Sequence, residues 1–350
     1  MRYALITGSG GLIGSEAVSF LASKDYTIIG IDNNMRATYF GKEASTSWNI
    51  ERLQERYKKQ YLHYNVDIRK EKAIYEIFQK YSFEIIIHTA GQPSHDWSAT
   101  NPITDFAVNA NGTLIMLEGL RKYSPNASFI FTSTNKVYGD LVNYLPYIEL
   151  EKRYELPQEH IYYDGLPESI SIDQSLHTVF GVSKIAADVM VQEYGRFFGL
   201  NTSVFRSGCL TGHNHSSSQA HGFLAYLVKC VMTEKTYTIN GYKGKQVRDN
   251  LHAYDLVNMF WSFHENPKKG AVYNVGGSRY SNISILEAIS KIEELSQKKG
   301  LISYIEKPRV GDHQWYISSI NKFQSDYPEW KYTYDIDRIL EDIYKHGHFK

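Results

Sequence analysis

The sequence predicts an α/β fold: a doubly wound parallel sheet covered by helices on both faces, with a smaller α/β C-terminal cap. Three observations predict it. Short runs of β-branched and aromatic residues alternate with helix-like segments. A glycine-rich turn, "TGSGGLIG", joins the first such run to the first helical segment. An aspartate, Asp32, closes the second run.

Taken in order, strands are expected at 3–7 ("YALIT"), 27–32 ("TIIGID"), 84–90 ("EIIIHTA"), 127–134 ("ASFIFTST") and 202–208 ("TSVFRSG"). Their near-continuous apolar character suits strands covered on both faces. Between them "GLIGSEAVSFLASK", "EKAIYEIFQKY", "GTLIMLEGLRKY" and "SKIAADVMVQEYGRFFG" read as helices. Strand and helix in repetition make a parallel sheet, because parallel neighbours need a crossover between them. Residues 140–176, rich in Tyr, Pro and Glu with weak periodicity, read as a long loop over the C-terminal edge of the sheet, where such folds bind ligands. "GFLAYLVKCVM" (222–232) reads as an amphipathic helix of the cap. The expected division is 1–206 with 248–275 for the sheet domain, and 207–247 with 276–350 for the cap.

Composition narrows the partners. Lys+Arg and Asp+Glu are both 38, so there is no net charge and no nucleic acid is expected. No apolar run has the length of a membrane span, so no membrane is expected. "MRYALITG" runs straight into a strand pattern, so no signal peptide is expected. Two cysteines, Cys209 and Cys230, are too few for a disulfide framework, and a reducing, cytoplasmic setting is expected.

Gly8, Gly11 and Gly14 lie three apart between a strand and a helix. Glycines there let the backbone approach a pyrophosphate, and the first-turn N–H groups of Leu12 and Ile13 point the positive end of the helix at it. Asp32, with Asn33 beside it, suits the ribose hydroxyls of NAD and would repel the extra phosphate of NADP. Asp67 and Ile68 of "NVDIR" are read on the adenine side. Ala90, Gly91 and Gln92 follow the third of the listed strands and are expected along the pyrophosphate and ribose, with His95 just beyond.

Together with "HTAGQ", Asn109 of "VNANGTL", "STNKVYGD", "SKIAAD", "GKQVRDNLHAYDL" and "YNVGG", these residues resemble the extended short-chain dehydrogenase/reductases, specifically the NAD-dependent nucleotide-sugar epimerases and dehydratases. "STNKVYGD" followed by "FGLNTSVFR" and "GKQVRD" is most similar to the CDP-tyvelose (CDP-paratose) 2-epimerase branch. The resemblance covers most of the chain. It implies a Rossmann-type domain whose cap is built partly from chain that leaves and re-enters. It also implies tightly held NAD, a sugar-nucleotide substrate, epimerisation through a transient keto sugar, and a homodimer.

In that family a Ser or Thr, a Tyr and a Lys act together. Here the hydroxyl residue is Thr134, and Lys184 is the Lys that holds the nicotinamide ribose and lowers the pKa of its phenol neighbour. The phenol position is Phe180, preceded by Val179 where the family has Pro. Three explanations are open: another group carries the proton, Thr134 and a water relay serve a slow or different redox reaction on a sugar nucleotide, or the chain binds NAD and a ligand without turnover; the first is preferred. Cys209 is chosen narrowly over His177; Tyr162 and Tyr163 remain candidates, while Tyr138 is expected to be structural. Asn109 and Thr132 complete the expected cofactor set. His95, Thr134, Asn135, Lys245, Gln246, Arg248 and Arg309 are expected at the substrate. Arg248 would serve the diphosphate, with a surface pair to Asp249 or Asp255 as its alternative. Arg309 lies in "PRVGDHQW" near Asp312 and His313. A dehydratase would want an Asp-Glu pair after Thr134, but Asn135 and Lys136 stand there. His213, His215 and His221 suggest a metal, but no local Cys or carboxylate completes a tetrahedral set, so none is expected.

Overall fold

Strands that are apolar along their whole length pair here as parallel neighbours under cover of helices. The structure is a computed structural model that describes residues 1–219 and 221–349. The chain runs through β1 (Arg2–Thr7), α1 (Leu12–Ala22), β2 (Tyr26–Ile31), α2 (Met35–Phe40), α3 (Ser47–Tyr57), β3 (Tyr61–Tyr64), α4 (Glu71–Lys80) and β4 (Phe83–His88). It continues through α5 (His95–Thr100), α6 (Pro102–Phe106), α7 (Gly112–Tyr123) and β5 (Ser128–Thr134). A hairpin of β6 (Ile148–Glu149) and β7 (Tyr154–Glu155) precedes α8 (Thr178–Phe197), β8 (Thr202–Ser207) and β9 (Cys209–Thr211). Next come α9 (Phe223–Thr233), β10 (Thr236–Asn240), β11 (Val247–His252), α10 (Ala253–Glu265) and β12 (Ala271–Val275). Last are β13 (Asn282–Ser284), α11 (Ile285–Ser296), β14 (Leu301–Ile305), β15 (Trp315–Tyr316), α12 (Asn321–Asp326) and α13 (Ile336–His346).

Seven strands form a parallel sheet in the order β12-β8-β5-β4-β1-β2-β3. The order reverses between β1 and β4, which is where an open α/β sheet offers its ligand crevice. The chain divides into two units. The first is Met1–Val137, Val179–Arg206 and Leu256–Tyr273; the second is Tyr138–Thr178, Ser207–Asp255 and Asn274–Lys350. Residues 138–178 and 248–255 thus group with the second unit. Their pairing explains it: β11 bonds to β13, β15 and β9, Tyr154 N–H donates to Lys245 O at 2.9 Å, and Leu166 N–H to Ile317 O at 2.8 Å.

The first unit's core joins Leu5, Ile29, Ile86, Phe129 and Phe131 of the sheet to Ile74, Ile77, Leu117, Leu120, Ala187 and Val191 of α4, α7 and α8. Gly119 keeps α7 close to Phe78, whose ring a methyl would overlap. The second unit has its own core, Leu224, Val228, Val231, Ile239, Ile285, Ile292, Ile339 and Ile343, gathered by α9, α11, α13 and β10. No helix among the described residues is long and apolar enough to cross a membrane.

One ionic contact fixes α8 on the sheet. Arg206 of β8 donates from Nε and Nη2 to the two Asp188 oxygens at 3.0 and 2.9 Å, with side chains 8% and 1% exposed. Ser133 of β5 donates to the same carboxylate at 2.6 Å. Breaking a buried pair strands its partner's charge, which costs several kcal/mol. Asp188→Ala should therefore lower unfolding stability by about 3–5 kcal/mol, read by urea denaturation; a loss below about 1 kcal/mol, the range of exposed pairs, would contradict this role.

Candidate active site

The turn after β1 is built by close approach. Gly8 has φ +69°, a backbone conformation that glycine adopts without strain. A Cβ on it would lie 2.8 Å from Thr89 Oγ1 and 2.9 Å from Ala90 N, and one on Gly14 would overlap the Gly8 carbonyl oxygen. The turn is thus packed against the segment that follows β4. Gly11 opens α1 and no side chain caps it, so the first-turn amides, those of Leu12 and Ile13 among them, suit an anionic oxygen. Asp32 Oδ2 accepts from Gly10 N–H at 3.0 Å, and its Oδ1 from Asn34 N–H at 2.8 Å. The carboxylate therefore sits against the glycine turn, with Asn33 half-buried next to it. Arg36, passed over in the sequence, feels the charge of Asp32. This cradle fits a dinucleotide: it has backbone donors, room that any Cβ would fill, and a carboxylate at the end of β2.

Asp67 is engaged by Arg69, whose Nε and Nη2 donate to it at 3.0 and 2.6 Å. Burial works to raise its pKa, but the Arg69 hydrogen bonds outweigh that and hold the carboxyl below its usual range. Ile68 puts its side chain in the core, which leaves its backbone for a ligand. His88 ends β4 with Nδ1 2.6 Å from Thr7 Oγ1 and Nε2 3.1 Å from Thr113 Oγ1. Burial pulls its pKa down to about 3, so the ring stays neutral and ties β1 to α7 at the switch point.

Beyond β4 lies a buried polar network. Gln92 is fully buried; its Nε2 donates to Ser94 O at 2.9 Å and to Asp105 Oδ1 at 2.6 Å, and its Oε1 accepts from Ser94 N–H. Asn109 sits on a π-helical turn, Ala107–Asn111, that joins α6 to α7. Such turns re-aim a side chain out of the regular spacing. Asn109 Oδ1 accepts from Gln92 N–H at 2.8 Å, and its Nδ2 donates to Gln92 O at 3.0 Å and Ser183 Oγ at 3.0 Å. Ser183 Oγ in turn donates to Phe180 O at 3.0 Å. The loop after β4 and the first turns of α8 are therefore one rigid piece.

On α8, Phe180 and Lys184 share a face. Lys184 is buried; its Nζ donates to Thr132 O at 2.7 Å and lies 4.1 Å from the centre of the Phe131 ring. Burial lowers its pKa to about 8, with Asp188 and Asp105 opposing the shift. Thr134 Oγ1 donates to Asn135 Oδ1 at 3.4 Å and accepts from Lys136 N–H at 3.2 Å. Phe180 is buried, and His95 stands against its ring, centroids 4.9 Å apart and planes at 70°. Nothing in the sequence spacing joins these two rings. Ala90 and Gly91, a few residues before His95 in the chain, are half-buried.

The second unit holds the remaining expected residues. Cys209 is half-buried on β9, opposite Asn250 of β11. His177 lies just ahead of α8, 3.2 Å from Ser175 Oγ. Tyr138 is fully buried and donates to Asn274 Oδ1 at 2.7 Å, the structural place expected of it. Tyr163 packs under Arg279, whose guanidinium lies 3.9 Å from the ring centre, and Tyr162 N–H bonds His160 Nδ1 at 3.2 Å. Arg248 is buried and pairs with Asp312 at 2.5 Å. Asp249 and Asp255 are not its partners: Asp249 accepts from Ser278 and Ser318 N–H, and Asp255 from Thr333 and Tyr334 N–H. Lys245 bonds Glu149 and Leu150 O, both at 2.8 Å. Gln246 has its Oε1 buried without a hydrogen-bond partner, an acceptor a ligand can satisfy. Arg309 is half-buried in the loop before Asp312.

Of the three histidines noted in the sequence, His213 finds a carboxylate, in α13, together with His252, while His215 Nε2 lies 3.3 Å from His221 Nδ1. Asp342 lies 3.0 Å from His213 Nδ1 and 3.0 Å from His252 Nε2. The set has the composition of a metal site. However, His252 Nδ1 accepts from Tyr254 N–H at 3.1 Å, so its Nε2 carries the proton and donates to Asp342. A metal-ligating imidazole does the reverse, donating from its far nitrogen. The cluster is a clasp between α13, β11 and the segment after β9.

The sequence matches the model of the NAD dependent epimerase/dehydratase family over residues 4–276. It is 35% identical to a CDP-paratose 2-epimerase of Salmonella typhi over 83% of each chain. It is 27% identical to the dTDP-glucose 4,6-dehydratase of Escherichia coli, over 97% of this chain and 87% of that one. It is 26% identical to human UDP-glucose 4-epimerase, over 97% and 95%. Its fold matches the crystal structure of UDP-glucuronic acid 4-epimerase from Bacillus cereus, in complex with UDP-glucuronic acid and NAD, with a TM-score of 0.80 at 21% identity over 99% of this chain and 98% of that one. With the glycine turn, Asp32 and Lys184 in place on a parallel sheet, this chain is a member of the NAD-dependent epimerase/dehydratase family.

Proposed function

We propose that this enzyme inverts one carbon of a nucleotide-linked sugar, a CDP-linked deoxy sugar, through a transient keto sugar. The strongest support is that its likeness to the CDP-paratose 2-epimerase exceeds its likeness to the dehydratase and the 4-epimerase. Thr134 adds to it. Asn135 and Lys136 follow where a dehydratase would want an acidic pair, and both bond to the Thr134 hydroxyl.

In this reading Gly8, Gly11, Leu12, Ile13 and Gly14 receive the cofactor pyrophosphate, Asp32 and Asn33 its adenosine ribose, and Asp67 and the Ile68 backbone its adenine. Ala90, Gly91, Gln92 and Thr132 line the path to the nicotinamide ribose, which Lys184 holds with its ammonium. Asn109 acts one step back, since its amide is spent on Gln92 and Ser183. When bound, NAD accepts a hydride from the sugar carbon and gives it back, so the net reaction is redox-neutral. His95, Thr134 and Asn135 face the sugar; Lys245, Gln246, Arg248 and Arg309 serve the nucleotide diphosphate. A homodimer would cover the apolar outer face of α8, where Val182, Met190 and Phe197 are exposed, with exposed Phe198 just past its end. Cys209 and Cys230 share no disulfide, which suits a cytoplasmic enzyme.

Two outcomes test these assignments. NAD-free protein should bind NAD more tightly than NADP in a calorimetric titration, because the Asp32 carboxylate opposes a second phosphate; tighter NADP binding would remove Asp32 from the ribose. Arg248→Ala should weaken CDP-paratose binding by about 1.5–3 kcal/mol, the value of a hydrogen bond to a charged group, with NAD content unchanged. Unaltered affinity would leave Arg248 as no more than the partner of Asp312.

A further inference from the structure

We infer, on the strength of the epimerase reading above, that His95 is the acid–base group of this enzyme, doing at its imidazole what Phe180 cannot do at a phenyl ring. Phe180 lies four residues before Lys184, at the family's phenol position. A phenyl ring has no proton to give or take. The structure sets the His95 ring against that phenyl ring at 4.9 Å between centroids, with planes at 70°. The imidazole is therefore a direct neighbour of the ring that stands at the phenol position. It is also part-exposed, whereas Phe180 is 6% exposed. Among side chains, imidazole exchanges protons most readily near neutral pH.

The two rings are held in register by a shared network. Ser94 caps α5, its Oγ accepting from Trp97 N–H at 3.2 Å, and so fixes the turn that carries His95. Gln92 clamps Ser94 from both sides through its amide. Asn109 bonds Gln92 and Ser183, and Ser183 bonds the Phe180 carbonyl. The backbone before His95 and the backbone at Phe180 thus hang on the same two amides, the preorganisation an acid–base group needs. Sequence alone favours Cys209 narrowly over His177. Cys209 sits in a strand pair, and His177 stands beside Ser175.

The proton step balances. The sugar hydroxyl gives its proton to an imidazole nitrogen as its C–H electron pair leaves with hydrogen for the cofactor, and a carbonyl forms. On return the imidazolium protonates the carbonyl oxygen as the carbon regains its hydride. Lys184 then has only to bind.

The test uses NAD-loaded full-length protein and CDP-paratose. His95→Gln should lower kcat by about 10²–10⁴, the contribution of a general base, with KM little changed. Circular dichroism and NAD content should match the parent. Phe180→Tyr placed in the His95→Gln chain should recover turnover, because it restores a phenol four residues before Lys184, whereas a merely structural role for His95 would not be rescued this way. Independently of turnover, the ¹⁵N resonances of the His95 ring should move when CDP-paratose is added to the parent. A parent that turns over CDP-paratose beside an equally active His95→Gln variant overturns the assignment alone. So do a loss of kcat confined to Cys209→Ala, and an unmoved His95 resonance at saturating ligand. A parent inert towards CDP-paratose overturns the epimerase reading, and this assignment with it.

Discussion

The amide of Asn109 holds together the parts on which the rest of the site depends. It bonds the loop after β4 at Gln92, in both directions, and α8 at Ser183. The π turn at Ala107–Asn111 is what aims it inward. With α8 fixed there at one end and by the Asp188–Arg206 pair further along, Lys184 has little freedom. Its ammonium is pinned between Thr132 O and the Phe131 ring. Burial brings its pKa to about 8, so near neutral pH it remains mostly charged and suited to binding a ribose. Asn109, Gln92, Ser183, Lys184, Asp188 and Arg206 are all buried, which makes their hydrogen bonds strong and the loss of any one costly.

Phe180 packs buried on the same face of α8 as Lys184, and Lys184 keeps its place beside Thr132. In the proposed reading the phenyl ring keeps the packing of a phenol and lacks its proton. His95, bound to the same loop that Asn109 organises, stands where the missing function is needed. Two basic groups of the second unit have their own supports: Arg248 is braced by Asp312, and Lys245 by Glu149.

Much of the fold was legible because parallel, doubly covered strands are short runs that are apolar throughout and bounded by turn residues. α7 begins and ends where its periodicity predicts, at Gly112–Tyr123. α8 starts at Thr178, ahead of the periodic stretch from Ser183, because Val179 and Val182 are exposed and blur the apolar stripe. β3 escaped notice: of Tyr61–Tyr64 only Tyr61 is buried. So did α3, a mostly polar helix that buries Asn49, Ile50 and Leu53. In the site, the glycine turn and Asp32 were legible because their chemistry is local. The partners were not. Asp312 lies 64 residues from Arg248 and Asp342 lies 129 from His213, while the nearer aspartates are taken by backbone amides. The His95–Phe180 contact is of the same kind, made by tertiary packing and invisible to spacing.

The account stands or falls on a sugar carbon that surrenders a hydrogen and takes the same one back. CDP-paratose carrying deuterium at the inverted carbon, incubated with the enzyme in ordinary water and followed by NMR, reads this directly. The account predicts the epimeric CDP-sugar with its deuterium retained at that carbon and no free NADH. Washout of the label to solvent, or loss of water from the sugar, would contradict it.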